Sequence, residues 1–462
     1  MDLIGLYPTW LDTNIGSGWI VGLIATAHVL FSHTSVAAAI FFAWLVNHAY
    51  RHNQPGLLEF VRRYGMFLLV FSYVLGSITG PGIWFSTTVA SPRGISALIH
   101  SFVWMWATEW VFFVIEVAGV YLLVYLAGKV DVRTHTRIAV IFGLTSYTTM
   151  LIIVGILSFM MWPARPEWEQ TGGVLNAFYG GNTFAHLGMR TAFMFTIMAV
   201  VGGIVASRFE DAELKRRVAR TLAVIGIVSA VAGVALLQWY LATLPQTAAI
   251  VLENRLPSRF VPMLAATVGG TVLYFALTWA RPQWMKPGLA AAMTMAILVL
   301  GLWPEEVARE SLRKPWVAGQ YVYSNQVLGR DVPGMGVTSE IPKLEAHGWL
   351  TTLPFLPQPL RTVGDDNRIE VGRALALAAC SNCHSLSATG MRPLTRYIGA
   401  QASQDDIAQY LQAALTSGNT LYMPQIPLRD EEAQALAAFI ISTMPDRATA
   451  TAAASAELAI EE

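Results

Sequence analysis

The chain has 462 residues, 54% of them hydrophobic and 13% charged, with a mean hydropathy of +0.48. Globular domains carry about a quarter charged residues, so this composition excludes an ordinary water-soluble protein and points to a polytopic membrane protein. Thirty basic residues balance thirty acidic ones, which leaves no cationic footprint for nucleic acid.

The N-terminal stretch MDLIGLYPTWLDTNIGSG is acidic and has no basic region followed by an early apolar core. No cleaved signal peptide is expected, and the first transmembrane helix belongs to the mature chain. A helix needs about 20 apolar residues to cross a bilayer. Eight stretches qualify, at roughly 18–47, 65–86, 98–127, 138–162, 184–207, 219–243, 260–279 and 288–304. The expected fold is therefore all-α: a polytopic bundle of about eight transmembrane helices over residues 1–304.

Basic residues fall in alternate connections. Arg51, Arg62 and Arg63 lie between the first and second spans, and Lys129, Arg133 and Arg137 between the third and fourth. Arg208, Lys215, Arg216, Arg217 and Arg220 follow the fifth, and Arg281 and Lys286 the seventh, with Arg255 and Arg259 as mild exceptions. Basic loops stay cytoplasmic, so the N-terminus is expected outside, and eight spans return the chain there. Everything after about residue 305 is then periplasmic in a bacterial inner-membrane protein. Residues 305–359 are polar and aromatic with scattered Gly and Pro, and read as a connector over the bundle. Residues 360–446 have helical patterning, and 447–462 (ATAAASAELAIEE and its neighbours) read as frayed helix or flexible tail.

The two cysteines, Cys380 and Cys383, both fall in ACSNCHSLSATG. Cys-x-x-Cys-His is an attachment site for covalent haem: two thioethers to the vinyl groups, with His384 ligating the iron. A redox dithiol would not need the histidine, and a structural zinc site would need a second ligand pair. Haem is attached to this motif outside the bacterial cytoplasm, where charge counting alone has placed it. Met423, in LYMPQIPLRDEEAQALAAFI and 39 residues after His384, is the candidate sixth ligand. Its setting between GRALALAAC and a C-terminal helix resembles a class I cytochrome c domain.

Ionisable residues inside a membrane are functional candidates. His28 lies well inside the first span, and His33 is turned about 140° from it. His186 and Arg190, four residues apart in NTFAHLGMRTAF, share a face of the fifth span. Arg259 precedes Met263 by four residues at the start of the seventh. His186 and Met263 could hold a haem b near the outer surface, with Arg190 and Arg259 for its propionates. Glu109 and Glu116 lie seven residues apart on one face of the third span, about 10 Å from each other, and suit a proton path. His100 is a weaker ligand candidate, and each of these histidines could equally be a satisfied helix–helix hydrogen bond.

Several of these motifs, taken in order over about residues 15–316, resemble subunit I of the cytochrome bd oxidases. ATAHVLFSHTSVAAA resembles the segment around the family's active-site haem histidine, mapped to His28. Gly76, Thr79 and Gly80 match a Gly-x-x-Thr-Gly motif, Glu109 and Glu116 an acidic pair, and FAHLGMRTAF and RFVPML the regions of the low-spin haem b ligands. ESLRKPW, with Glu310, Arg313, Pro315 and Trp316, matches a Glu-x-x-Arg-x-Pro-Trp segment. The resemblance implies one to three haem b groups, one of them open to gas at His28, and a second membrane subunit. With the haem c added, it implies a terminal oxygen or nitric oxide reductase fed by cytochrome c or another periplasmic carrier. The other direction, quinol oxidation with export of electrons through haem c, stays open. Three departures bear on the choice. The family's quinol-binding loop is replaced by the short LPQTAAIVLENRLPSRF, Trp303 stands where the family has a glutamate ligand (Glu305 and Glu306 are close by), and the haem c unit is an addition.

Overall fold

A computed structural model describes residues 9–254, 256–416 and 423–444. Arg255 and the expected flexible tail, 447–462, lie outside the described residues. Eight helices are long and apolar enough to cross a membrane: Gly18–Arg51, Pro55–Ala90, Pro92–Tyr125, Val132–Met161, Gly181–Ala206, Ala212–Ala242, Phe260–Ala280 and Pro287–Arg313. These are the first to eighth spans below, and the chain is a polytopic helical bundle. Proline at the first turn starts the second, third and eighth spans, where no intrahelical N–H is lost. Asp131 and Asp211 cap the fourth and sixth, accepting hydrogen bonds from Thr134 N at 3.0 Å and Glu213 N at 2.9 Å.

Two helices run beyond the apolar stretches that announce them. The second begins at Pro55 rather than 65, and the eighth continues to Arg313 rather than ending near 304. In the eighth, Glu306 and Arg309 are buried and pair with each other, so the helix carries its charges inward as a neutral pair. Hydropathy windows stop at such residues, whereas the backbone does not. The second and eighth spans each contain a π-helical stretch, Leu69–Val74 and Ile297–Leu302, and the third kinks at Phe102 (φ −135°). Such stretches occur often at functional sites because they re-aim side chains.

The first and fifth spans are the centre of the bundle. Within their most apolar windows 67% and 78% of residues are buried by protein, against 17% for the second span. Phe42, Tyr64, Met198 and Leu222 interlock there, and the Tyr64 hydroxyl donates to Met198 O at 2.9 Å. The outer spans present Phe85, Trp104, Trp110 and Val228 outward, as a lipid-facing surface requires.

The segment after Arg313 folds back over one end of the bundle. Gly319 N bonds Phe159 O at 3.1 Å, and Arg93, buried at the start of the third span, donates to Gln326 O at 2.8 Å and pairs with Glu340. A short antiparallel pair, Trp316–Ala318 with Val322–Tyr323, stacks Trp316 on Tyr323 at 4.1 Å. This is the end of the bundle that the charge pattern assigns to the outside.

The C-terminal unit has its own core around Trp349, Leu375, Ile407, Leu436 and Ile440. Helix Arg368–Ala379 crosses helix Asp430–Thr443 at Gly372, where a Cβ would overlap the Ala435 carbonyl. Helix Gln404–Thr416 packs on the second of these. Buried Glu432 accepts from Leu350 N at 2.9 Å, tying the connector to the unit.

Candidate functional site

Helix Arg368–Ala379 ends at Cys380, and one further turn, with His384 N bonded to Cys380 O at 3.0 Å, presents Cys383 and His384. Neither thiol is in a disulfide. Burial and the neighbouring Cys383 thiol push the Cys380 thiol up to about 12. The Nδ1 of His384 lies 3.1 Å from the Arg392 carbonyl, which can only accept. His384 therefore carries its proton on Nδ1 and its lone pair on Nε2, the arrangement of an iron-ligating imidazole oriented by a backbone carbonyl. Tyr397 meets the ring edge-on at 5.9 Å. Two unpaired thiols one turn apart and a histidine of fixed tautomer fit a covalent haem. Met423 is half-buried against the same core, directly after residues that lie outside the description.

The pentad is bound to the start of the first span. Leu386 N donates to Thr13 O at 3.0 Å and Met391 N to Asn14 O at 2.8 Å, while Ser17 Oγ lies 2.7 Å from Asn382 Oδ1. Gly390 is needed here, because a Cβ would run into the Asn14 carbonyl. A cleft opens beneath, with Cys383 and Arg392 on one wall and Gly18, Trp19, Trp303, Glu306 and Glu310 on the other. Glu310 pairs with Lys314 at 2.8 Å, and Trp303 packs against Trp19 at a tilt, with ring centroids 5.0 Å apart.

Inside the bundle the candidate histidines separate into two settings. His28 Nδ1 lies 2.9 Å from Thr79 Oγ1, and the Thr79 hydroxyl lies 2.8 Å from Leu75 O. The single hydroxyl proton goes to that carbonyl, so Thr79 accepts from His28 Nδ1–H, and the lone pair stands on Nε2. Gly80 lies against the same ring, where a Cβ would touch Cε1 at 3.4 Å. This fits a haem ligand, with Thr79 as its orienting partner.

His186 is placed differently. It is fully buried, and Arg190 Nε donates to its Nε2 at 2.6 Å. The same guanidinium lies 3.2 Å from His33 Nε2 and 3.5 Å from Glu305. Ser158 Oγ lies 3.5 Å from His186 Nδ1, and Tyr240 packs on the ring at 5.1 Å. Arg190 thus gathers the first, fifth and eighth spans. Met263 and Arg259 begin the seventh span, which packs on the sixth and eighth. Arg190 Nε donates to the His186 nitrogen that a metal would take. His100 is exposed and bonds Ser96 O at 2.8 Å.

Glu116 is buried and accepts from the Tyr73 hydroxyl at 2.9 Å; Tyr73 lies in the π-helical part of the second span. Glu109 is half-buried, two turns nearer the outer end of the third span, with no hydrogen-bond partner among the described residues. The short connection between the sixth and seventh spans holds a helix, Gln246–Asn254, that lays Ala248 and Val251 onto Leu312, Met189 and Tyr240. It closes over the Arg190 cluster. Beside it lies a cavity of about 350 Å³, lined by Ser158, Trp162, Asn182 and Thr243.

Sequence reading missed Tyr73, Arg309, Trp19 and Ser17, and it quoted Thr79 without a role. None of them lies in a local pattern that marks it; each gains its role from a partner on another element, except Arg309, whose partner is one turn away.

An eight-span helical membrane protein with this arrangement has the fold of the bd oxidases. Among solved structures the chain is similar to the bd oxidase from Geobacillus thermodenitrificans, with a TM-score of 0.58 at 13% identity over 70% of this chain and 90% of that one. At that identity the likeness is one of fold. The sequence matches no protein-family model and no curated protein.

Proposed function

We propose that the chain is a haem-dependent respiratory oxidoreductase of the bacterial inner membrane, in which residues 360–446 act as a cytochrome c domain. It takes electrons from a periplasmic carrier, such as a cytochrome c, and passes them inward for the reduction of oxygen or nitric oxide at the His28 site. The observation that carries this reading is the docking of the pentad, through Asn382, and of Leu386 and Met391 just after it onto Ser17, Thr13 and Asn14, directly over the cleft between the first and eighth spans. The closed-down helix Gln246–Asn254, where a quinol loop would otherwise stand, supports it.

Cys380, Cys383 and His384 would hold the haem c, and Met423 would be a further ligand to its iron. His28 holds a haem b, or a modified haem, through Nε2, with Thr79 setting its tautomer. Bound there, an iron with an open position supplies the gas-binding chemistry. Glu116, poised by Tyr73, and Glu109 carry protons along the third span toward it. A second membrane subunit of bd type covers the outward faces of the second and third spans, where Trp104 and Trp110 stand exposed.

A second reading, quinol oxidation with export of electrons through haem c, draws on the cavity beside Asn182 and Ser158, whose hydroxyl reaches toward His186. Reduced-minus-oxidised spectra with and without carbon monoxide separate the two. A membrane haem that shifts with carbon monoxide, reducible by a soluble cytochrome through the c-type band, is the expected result. Exclusively six-coordinate haems, reduced by quinol alone, would overturn the proposal.

A further inference from the structure

We infer that Trp19 and Trp303 form the bridge by which an electron leaves the haem c for the membrane interior. This rests on the functional reading above and goes beyond it by assigning the route. Tryptophans near a membrane surface ordinarily anchor the protein at the lipid headgroups. These two instead come from the first and last spans and pack against each other at a tilt, with ring centroids 5.0 Å apart and planes inclined at 36°. They are the aromatic rings in the lining of the cleft beneath Cys383.

The rest of the setting fits a bridge. Gly18 and Gly22, on the same wall, present no side chain between the indoles and the pentad; a Cβ at Gly22 would meet nothing within 4 Å. A haem edge bonded through Cys383 can therefore approach the indole faces closely. The segment from Asn382 to Met391 is held in register by the Ser17, Thr13 and Asn14 contacts, so the donor edge sits at a fixed distance.

The step balances without chemistry on the protein. One electron leaves the ferrous haem c, which becomes ferric, and reduces a ferric haem in the bundle to ferrous. The indoles supply π-orbitals that couple the two and are neither oxidised nor deprotonated in the net change. An aliphatic side chain of similar bulk would fill the space without that coupling.

The test uses the full-length protein in detergent, with Trp303→Leu, Trp303→Phe and Trp19→Leu compared by flash photolysis of the fully reduced, carbon monoxide-bound form in the presence of oxygen. The rate at which the c-type absorption band bleaches reports the transfer. The band's position and midpoint potential report whether the haem c site is intact. Each Leu variant is expected to slow the bleach by at least about tenfold with band and potential unchanged, and Trp303→Phe to stay within about threefold of the parent. Unchanged rates in both Leu variants would overturn the proposal, and so would equal slowing by Leu and Phe, which marks a packing role. Absence of any c-type band in the parent protein would instead overturn the functional reading on which the bridge rests.

Discussion

The C-terminal unit and the membrane bundle build their sites in opposite ways. In the C-terminal unit the reactive groups are neighbours in the chain: Cys380, Cys383 and His384 lie within one and a half turns, and the fold adds a carbonyl, from Arg392, to orient the histidine. In the bundle the partners come mostly from different spans. His28 meets Thr79 from the second span, Glu116 meets Tyr73 across the same spans' neighbours, and Arg190 draws His33 and Glu305 toward His186. The difference follows from the solvent. A water-facing domain can leave its polar groups hydrated, so its site needs only local geometry. In hydrocarbon each polar group must find a protein partner, and helices supply such partners mainly across their interfaces.

The comparison is tested most severely at the eighth span. Arg309→Met leaves buried Glu306 without its partner and is expected to cost about 3–5 kcal/mol, seen as loss of assembled protein or a lower melting temperature in detergent. The double variant Glu306→Leu, Arg309→Met removes both charges and should recover most of that loss. A double variant as unstable as the single one would show that the pair does more than neutralise itself.

The C-terminal unit should respond to packing instead of charge. Gly372→Ala places a methyl group against the Ala435 carbonyl and should cost about 1–3 kcal/mol, followed as the thermal loss of the c-type band. The melting of the bundle, read separately from its helical signal, should hardly move. Equal effects on both transitions would mean that the two regions unfold as one body.

The smallest effect concerns the thiols in the haem-free chain. The folded Cys380 thiol, raised from 9.0 to about 12 by burial, stays protonated where an unfolded one would ionise. Its contribution to stability is therefore complete below about 9 and is lost as pH rises toward 12. At mildly alkaline pH an alkylating reagent should label half-exposed Cys383 well before buried Cys380. Labelling at equal rates would show that the haem-free motif is unfolded.

Much of this protein was readable from the chain alone. Twenty-residue apolar runs and the alternation of Arg and Lys are one-dimensional quantities, and the eight spans follow from them because the bilayer imposes a length and a sign. The Cys-x-x-Cys-His pentad is equally linear, since the spacing of its residues is set by one turn of backbone. The eighth helix runs on past 304, to Arg313, although a charge pair one helical turn apart, Glu306 with Arg309, looks like an ending to any scale that scores residues singly.

What only the tertiary structure decided is which groups meet. His28 and His186 look alike in sequence, each a histidine in an apolar span. One has its lone pair directed away from a threonine that fixes it, and the other has its lone pair taken by Arg190. The docking of Asn382 on Ser17, 365 residues apart, and the packing of Trp303 against Trp19 have no local signature either. Covalent spacing and hydrophobic length are written along the chain. The pairing of buried polar groups depends on helix rotation and on which spans pack together, and both are set by the fold of the whole bundle.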